Sequence, residues 1–206
     1  VFFIRVVFPD LSGEPFSEAS ATNLASGLDQ FYRQMSYGKA GFNGSGEGSD
    51  VTPTFRMPQT ASYYGARDPS VLRKDARAAA TDGGYVLGSY NFDLICFGAV
   101  PGFKFAGLGY IGAAGAWIRD SASVGVMAHE LGHNFGLNHA NFWDTAGQSV
   151  IGTGTSVEYG DKFDNMGSAN AGSKHFNARY KNYLNWLTTR SEEHTSELQS
   201  PYVISY

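Results

Sequence analysis

The chain has 206 residues, enough for one domain with a sizeable core. Hydrophobic residues make up 42% and charged residues 17%, the balance of a globular chain rather than a disordered one. A net charge of -4 with no basic stripe excludes a nucleic-acid binder, and no apolar run is long enough to span a membrane.

Residues 1–8, VFFIRVVF, read as a first strand rich in Val, Phe and Ile. They lack the basic n-region, long apolar core and small-residue cleavage site of a signal peptide, so any signal or propeptide is expected upstream. From Ser17 to about Ser36, the residues Leu24, Leu28, Phe31, Tyr32 and Met35 recur at spacings of three and four. That is a helix capped by Ser17. The glycine-rich SYGKAGFNGSGEGSD is a loop, and VTPTFRMP, which carries proline, suits an edge strand. A second helix spans about Pro69 to Thr81, with Asp68 as its cap and DGG as its stop. YNFDLICFGAV holds a buried strand whose lone Cys96 reads as core packing, so the fold stands without an intrachain disulfide. FAGLGYIGAAGAWI is a strand or a pair of strands loosened by glycines. A third helix begins near Ser123, and residues 140–173 read as irregular. KHFNARYKNYLNWLTT then places Phe176, Tyr180, Tyr183, Leu184 and Leu187 on one stripe of a last helix.

The C-terminal RSEEHTSELQSPYVISY changes character abruptly. It resembles the translation of a DNA sequencing adapter, from Arg190 to Ser200 and again at Ile204, Ser205 and Tyr206. Residues 190–206 are therefore read as a non-native tail, and His194 is set aside with them. What remains, residues 1–189, is expected to be one catalytic-type domain in two unequal parts, about 1–136 and 137–189, with a cleft between them.

The stretch HELGHNFGLNH, residues 129–139, carries three of the five histidines. On a helix, positions four apart share a face, so His129 and His133 point their rings the same way. Two imidazoles aimed at one spot suit Zn²⁺, and a catalytic zinc takes three protein ligands. His139 would lie about 240° further round and roughly 9 Å further along a continuing helix, out of reach. The chain must reverse, and Gly136 stands where a left-handed residue is needed. Glu130, next to the first ligand, is placed to serve as general base to a water acidified by the ion and then as acid to the leaving amine.

These residues resemble the metzincin zinc peptidases, whose pattern is HExxHxxGxxH followed by a methionine turn. His129, Glu130, His133, Gly136 and His139 match it position by position, and Met166 in FDNMGS resembles the turn methionine, an apolar floor under the metal. FDNMG, HFNARYKNYLNWL and HANFW are similar to gametolysin-like and related secreted bacterial peptidases. The resemblance implies an α+β fold: a twisted mixed sheet with two helices and an active-site helix, then a smaller irregular half with Met-turn and C-terminal helix. It further implies one catalytic zinc ion, protein or peptide substrates, and a secreted or extracellular protein. One departure is Ser168, where some metzincins place a tyrosine; Tyr159 lies nearby in sequence.

Weaker signals surround the motif. GLGYIGAAG, with Gly109 and Tyr110, is a candidate substrate-binding edge, because glycines let another backbone approach. Tyr159 is a further candidate substrate contact. Three roles stay open for Glu158, Asp161 and Asp164: ion pairing, support of a ligand histidine, or calcium binding. His175 suits helix-end hydrogen bonding. The rival to a zinc-dependent endopeptidase is a catalytically silent zinc-containing binding or adhesion module, against which Glu130 argues, since a structural zinc site does not need that carboxylate.

Overall fold

The computed structural model describes residues 1–42, 50–120, 122–148, 152–168 and 175–187. The adapter-like tail lies outside them. The backbone of the fold is a six-stranded sheet in the order β2-β1-β4-β6-β5, with β3 also paired to β1. Its members are β1 (Phe2–Val7), β2 (Asp50–Val51), β3 (Phe55–Arg56), β4 (Asp93–Phe97), β5 (Gly107–Gly109) and β6 (Ala116–Arg119). All pairings are parallel except that of β5 with β6. The segment read as one proline-bearing edge strand is two short pieces, β2 and β3, on either side of Pro53.

Strand alternation builds two cores. On one face, Phe3, Leu94, Cys96, Ala116 and Ile118 pack under α1 (Glu18–Met35) and α4 (Val124–Asn134). On the other, Phe2, Ile4, Val6, Ile95, Phe97 and Trp117 pack against α2 (Ala61–Gly65) and α3 (Pro69–Asp82). Because β1 and β4 are covered on both sides, they read as near-continuous apolar runs, as central parallel strands do. The helix starts follow from their caps: the side chains of Ser17, Asp68 and Ser123 accept from the backbone N–H groups of Ser20, Ser70 and Val126. α1 is tied to α4 by the Tyr32 hydroxyl, fully buried, which donates to Ala128 O at 2.8 Å.

The C-terminal part differs from the irregular half expected. It contains an antiparallel hairpin, β7 (Phe142–Asp144) with β8 (Thr155–Val157), that stands outside the main sheet. All six of its residues are exposed, so no burial alternation marks it in the sequence. The final helix α5 (Ala178–Tyr183) is also shorter than its apolar stripe. Phe176 is buried ahead of the Asn177 cap, and Tyr183 lies 63% exposed. Among the described residues, no helix is long and apolar enough to cross a membrane.

Candidate metal centre

α4 carries His129, Glu130 and His133 into the interior, 4%, 7% and 5% exposed. The helix ends where the sequence demands a reversal. Gly136 takes φ +93° and its N–H donates to His133 O at 2.8 Å, while the Leu137 N–H donates to Gly132 O at 3.0 Å. This pair of bonds is a left-handed C-terminal cap that turns the chain back on itself. His139 is thereby brought to its two predecessors: the three rings each offer a ligand atom within 4.8 Å of the others. Nε2 of His133 and Nε2 of His139 stand 3.2 Å apart.

Each ring is held from behind. His129 Nδ1 lies 2.8 Å from Asn165 O, His133 Nδ1 2.7 Å from Leu137 O, and His139 Nδ1 2.7 Å from a Glu158 carboxylate oxygen. These partners accept only, so each Nδ1 carries a proton and donates it, which leaves Nε2 as the ligand atom of a neutral ring. Burial pushes the His129 ring down to about 4 and also lowers His133, so both are neutral at pH 7. Neutral imidazoles with converging lone pairs fit a divalent ion of borderline softness, zinc above all. Among the described residues this is the group of His, Cys, Asp or Glu able to hold a metal. The three acids of the 158–164 loop do not converge on a calcium site. Glu158 serves His139, Asp161 accepts from the Phe163 N–H, and buried Asp164 accepts from the N–H groups of Met166 and Asn177. His175 approaches the Lys181 ammonium at 3.4 Å and lies outside the histidine group.

Glu130 opens into a cleft of about 230 Å³ lined by Gly107, Gly109, the three histidines and Tyr159. Burial pushes its carboxyl up to about 8 before any cation's charge is added. β5 lies over it closely. A Cβ on residue 107 would meet the Glu130 side chain at 2.6 Å, and one on residue 109 would strike the Glu130 carbonyl. Tyr110, by contrast, turns to the opposite face, with its ring 5.0 Å from that of Trp117. Its carbonyl and that of Gly115 accept from the Asn134 amide, which fixes the loop beside the cleft. Tyr159, at a left-handed φ of +58°, lays its ring 3.8 Å from the His139 centroid. Met166 is fully buried beneath α4, its sulfur 2.5 Å from where a Cβ on residue 132 would sit. Nothing in residue type marks Asn165 and Leu137, because they act through carbonyls that every residue possesses. Asn134 likewise carries no role-defining pattern.

A donor set of this kind, with a carboxyl beside it in a cleft, is one that could hold a zinc ion. The chain belongs to the Peptidase M66 family, whose pattern matches residues 74–190. Among solved structures, the crystal structure of wild-type OgpA from Akkermansia muciniphila is similar in fold, with a TM-score of 0.55 at 16% identity. The alignment covers 88% of this chain and 58% of that one, so the chain spans little more than half of OgpA's length. A chain from the structure of a chaperone-substrate complex aligns with a TM-score of 0.44 and 18% identity, over 87% of this chain and 29% of that one. No curated protein matches.

These findings correct the family expected from the motif. The chain belongs to the Peptidase M66 family rather than to the gametolysin-like metzincins, and its mixed α+β fold resembles that of OgpA rather than the metzincin architecture with its Met-turn. The reason is physical. Two histidines one helical turn apart, a glycine reversal and a third histidine are what any three-imidazole site on a helix end requires. An apolar side chain beneath them fills space that the small Gly132 leaves. Such features report the geometry of the site; the wider pattern over residues 74–190 decides the family.

Proposed function

We propose that this chain is the catalytic unit of a zinc-dependent endopeptidase, with His129, His133 and His139 as the ligands and Glu130 as the general base. The observation that carries the reading is the convergence of three Nε2 lone pairs beside the buried Glu130 carboxyl in an open cleft. Zinc held there supplies Lewis-acid polarisation of a carbonyl and lowers the pKa of a water to about 7.

The protein's own groups do the rest. Glu130 takes a proton from the attacking water as the new C–O bond forms, then passes it to the amide nitrogen as the C–N bond breaks. Burial raises its proton affinity and the charge of a bound cation would lower it again, and these opposed effects set the balance that acid-base transfer needs. β5 presents the substrate's track. In its register with β6, the Tyr110 N–H donates to Gly115 O and the Arg119 N–H to Ala106 O. Alternation therefore turns the N–H and C=O groups of Gly107 and Gly109 to the open edge, where an extended peptide can add as a strand. A second cleft of about 520 Å³, lined by Lys104, Val126, Glu130, Gly167 and Ser168, continues past Glu130 and gives room for a side chain next to the scissile bond. Tyr159 borders both spaces. Secretion and a single domain over residues 1–189 belong to the same proposal; fractionating culture medium from cells tests the first.

The test is hydrolysis of casein and a mixed peptide library after zinc addition, with Glu130→Gln and a chelator as controls. Wild-type cleavage that the chelator abolishes, and that the variant loses by about 10²-fold or more, supports the reading. Cleavage indifferent to both refutes it, and zinc uptake with peptide binding but no cleavage assigns the chain to a binding module.

A further inference from the structure

The three candidate ligands are not supported alike. His129 and His133 are buried and aimed by backbone carbonyls, whereas the His139 side chain is 24% exposed and its Nδ1–H donates to a side chain, Glu158, itself 67% exposed. Glu158 follows β8 directly. The Tyr159 N–H donates to the Asn141 side-chain oxygen at 3.2 Å, and the Gly160 N–H to Val157 O at 3.1 Å. These bonds close a turn that faces back toward residue 139. β7 begins three residues beyond His139, and its Phe142 pairs with Val157, next to Glu158. One antiparallel pair thus carries the ligand near one strand's start and the carboxylate at the other strand's end. All six hairpin residues are exposed, Phe142 by 54% and Trp143 by 53%, so the hairpin adds little to the core.

We propose that Glu158 is a positioning residue of the metal centre, holding His139 in the Nδ1–H tautomer and aiming its Nε2 at the ion, and that the β7–β8 hairpin exists to deliver it. The proposal rests on the zinc reading above. A carboxylate acceptor raises the basicity of the imidazole it holds, and loss of such a partner costs 10–100-fold in metal affinity in well-studied sites. Tyr159 adds the ring contact that limits rotation of the same imidazole. The arrangement makes ligand three dependent on a side chain, where ligands one and two depend on the main chain.

The experiment uses the full chain and reads zinc affinity by competition with a chelating dye, for wild type, Glu158→Ala, Glu158→Gln, Glu158→Asp and the exposed neighbour variant Lys162→Ala. The expected result is a dissociation constant raised about 10–100-fold by alanine, raised less by glutamine, partly restored by aspartate and unchanged in Lys162→Ala. Imidazole ¹⁵N shifts of the ion-free proteins supply a reading that loss of general stability would not move: His139 alone loses its Nδ1–H preference in Glu158→Ala, while His129 and His133 keep theirs. Equal zinc affinity together with an unchanged His139 tautomer in Glu158→Ala overturns the proposal. Failure of the wild type to take up zinc overturns the peptidase reading instead.

Discussion

Gly107→Ala is the sharpest probe of how β5 and Glu130 share space. The added methyl would lie 2.6 Å from both Cγ and Oε1 of Glu130, and 2.9 Å from its Cδ. Ordinary carbon contacts lie at about 3.5–4.0 Å, so the carboxyl or the strand must yield by roughly 1 Å. The carboxyl is the softer of the two, because β5 is fixed to β6 and a side chain turns about its own bonds. A displacement of about 1 Å in a reacting group costs on the order of 10²-fold in rate, equivalent to about 2.7 kcal/mol of activation free energy. The three atoms nearest that methyl all belong to Glu130, so zinc affinity is expected to fall far less than the rate. Steady-state kcat/KM on a fluorogenic peptide, with bound zinc measured on the same sample, separates the two quantities. A variant that keeps both its zinc and its full activity would show that Glu130 does not work from this position.

Two further predictions concern stability. Gly136→Ala forces an L-residue into the left-handed region at φ +93° and sets a methyl 2.9 Å from the Tyr183 hydroxyl; the ion-free protein should lose about 1–2 kcal/mol, and thermal melting that matches wild type would refute the strain. Burial pushes the Cys96 thiol up to about 12, against 9.0 for an ordinary thiol. The folded chain then keeps a proton that the unfolded chain releases, so stability is full below pH 9 and falls as pH rises from 9 towards 12. Between pH 8 and pH 10 the loss is about 1.4 kcal/mol. Urea unfolding should show a smaller decline over that interval in Cys96→Ala than in wild type, and equal declines would refute the argument.

The legible part of this protein is the part encoded by residue type. Ser17, Asp68 and Ser123 mark helix starts because a short oxygen-bearing side chain is what an open helix end needs. Gly136 marks the reversal because other residues pay a steric cost there. The hairpin was invisible for the opposite reason: Phe142, Trp143 and Val157 are all exposed, so their pattern carries no burial signal. The apolar stripe overstates α5 because Phe176 is apolar for the sake of the core yet lies outside the helix. The motif describes the coordination geometry, whereas kinship is written across residues 74–190. Within the candidate edge 107–115, strand alternation sends the Tyr110 ring to Trp117.

The way the rings are held from behind has a consequence for how the site tolerates mutation. Replacing Asn165 or Leu137 leaves a carbonyl in place, so no single codon change there can delete the acceptor behind His129 or His133. The acceptor behind His139 is a gene-encoded carboxylate and vanishes with one nucleotide. Random variants of this chain that stay folded but bind zinc poorly should therefore accumulate at position 158 rather than at 137 or 165.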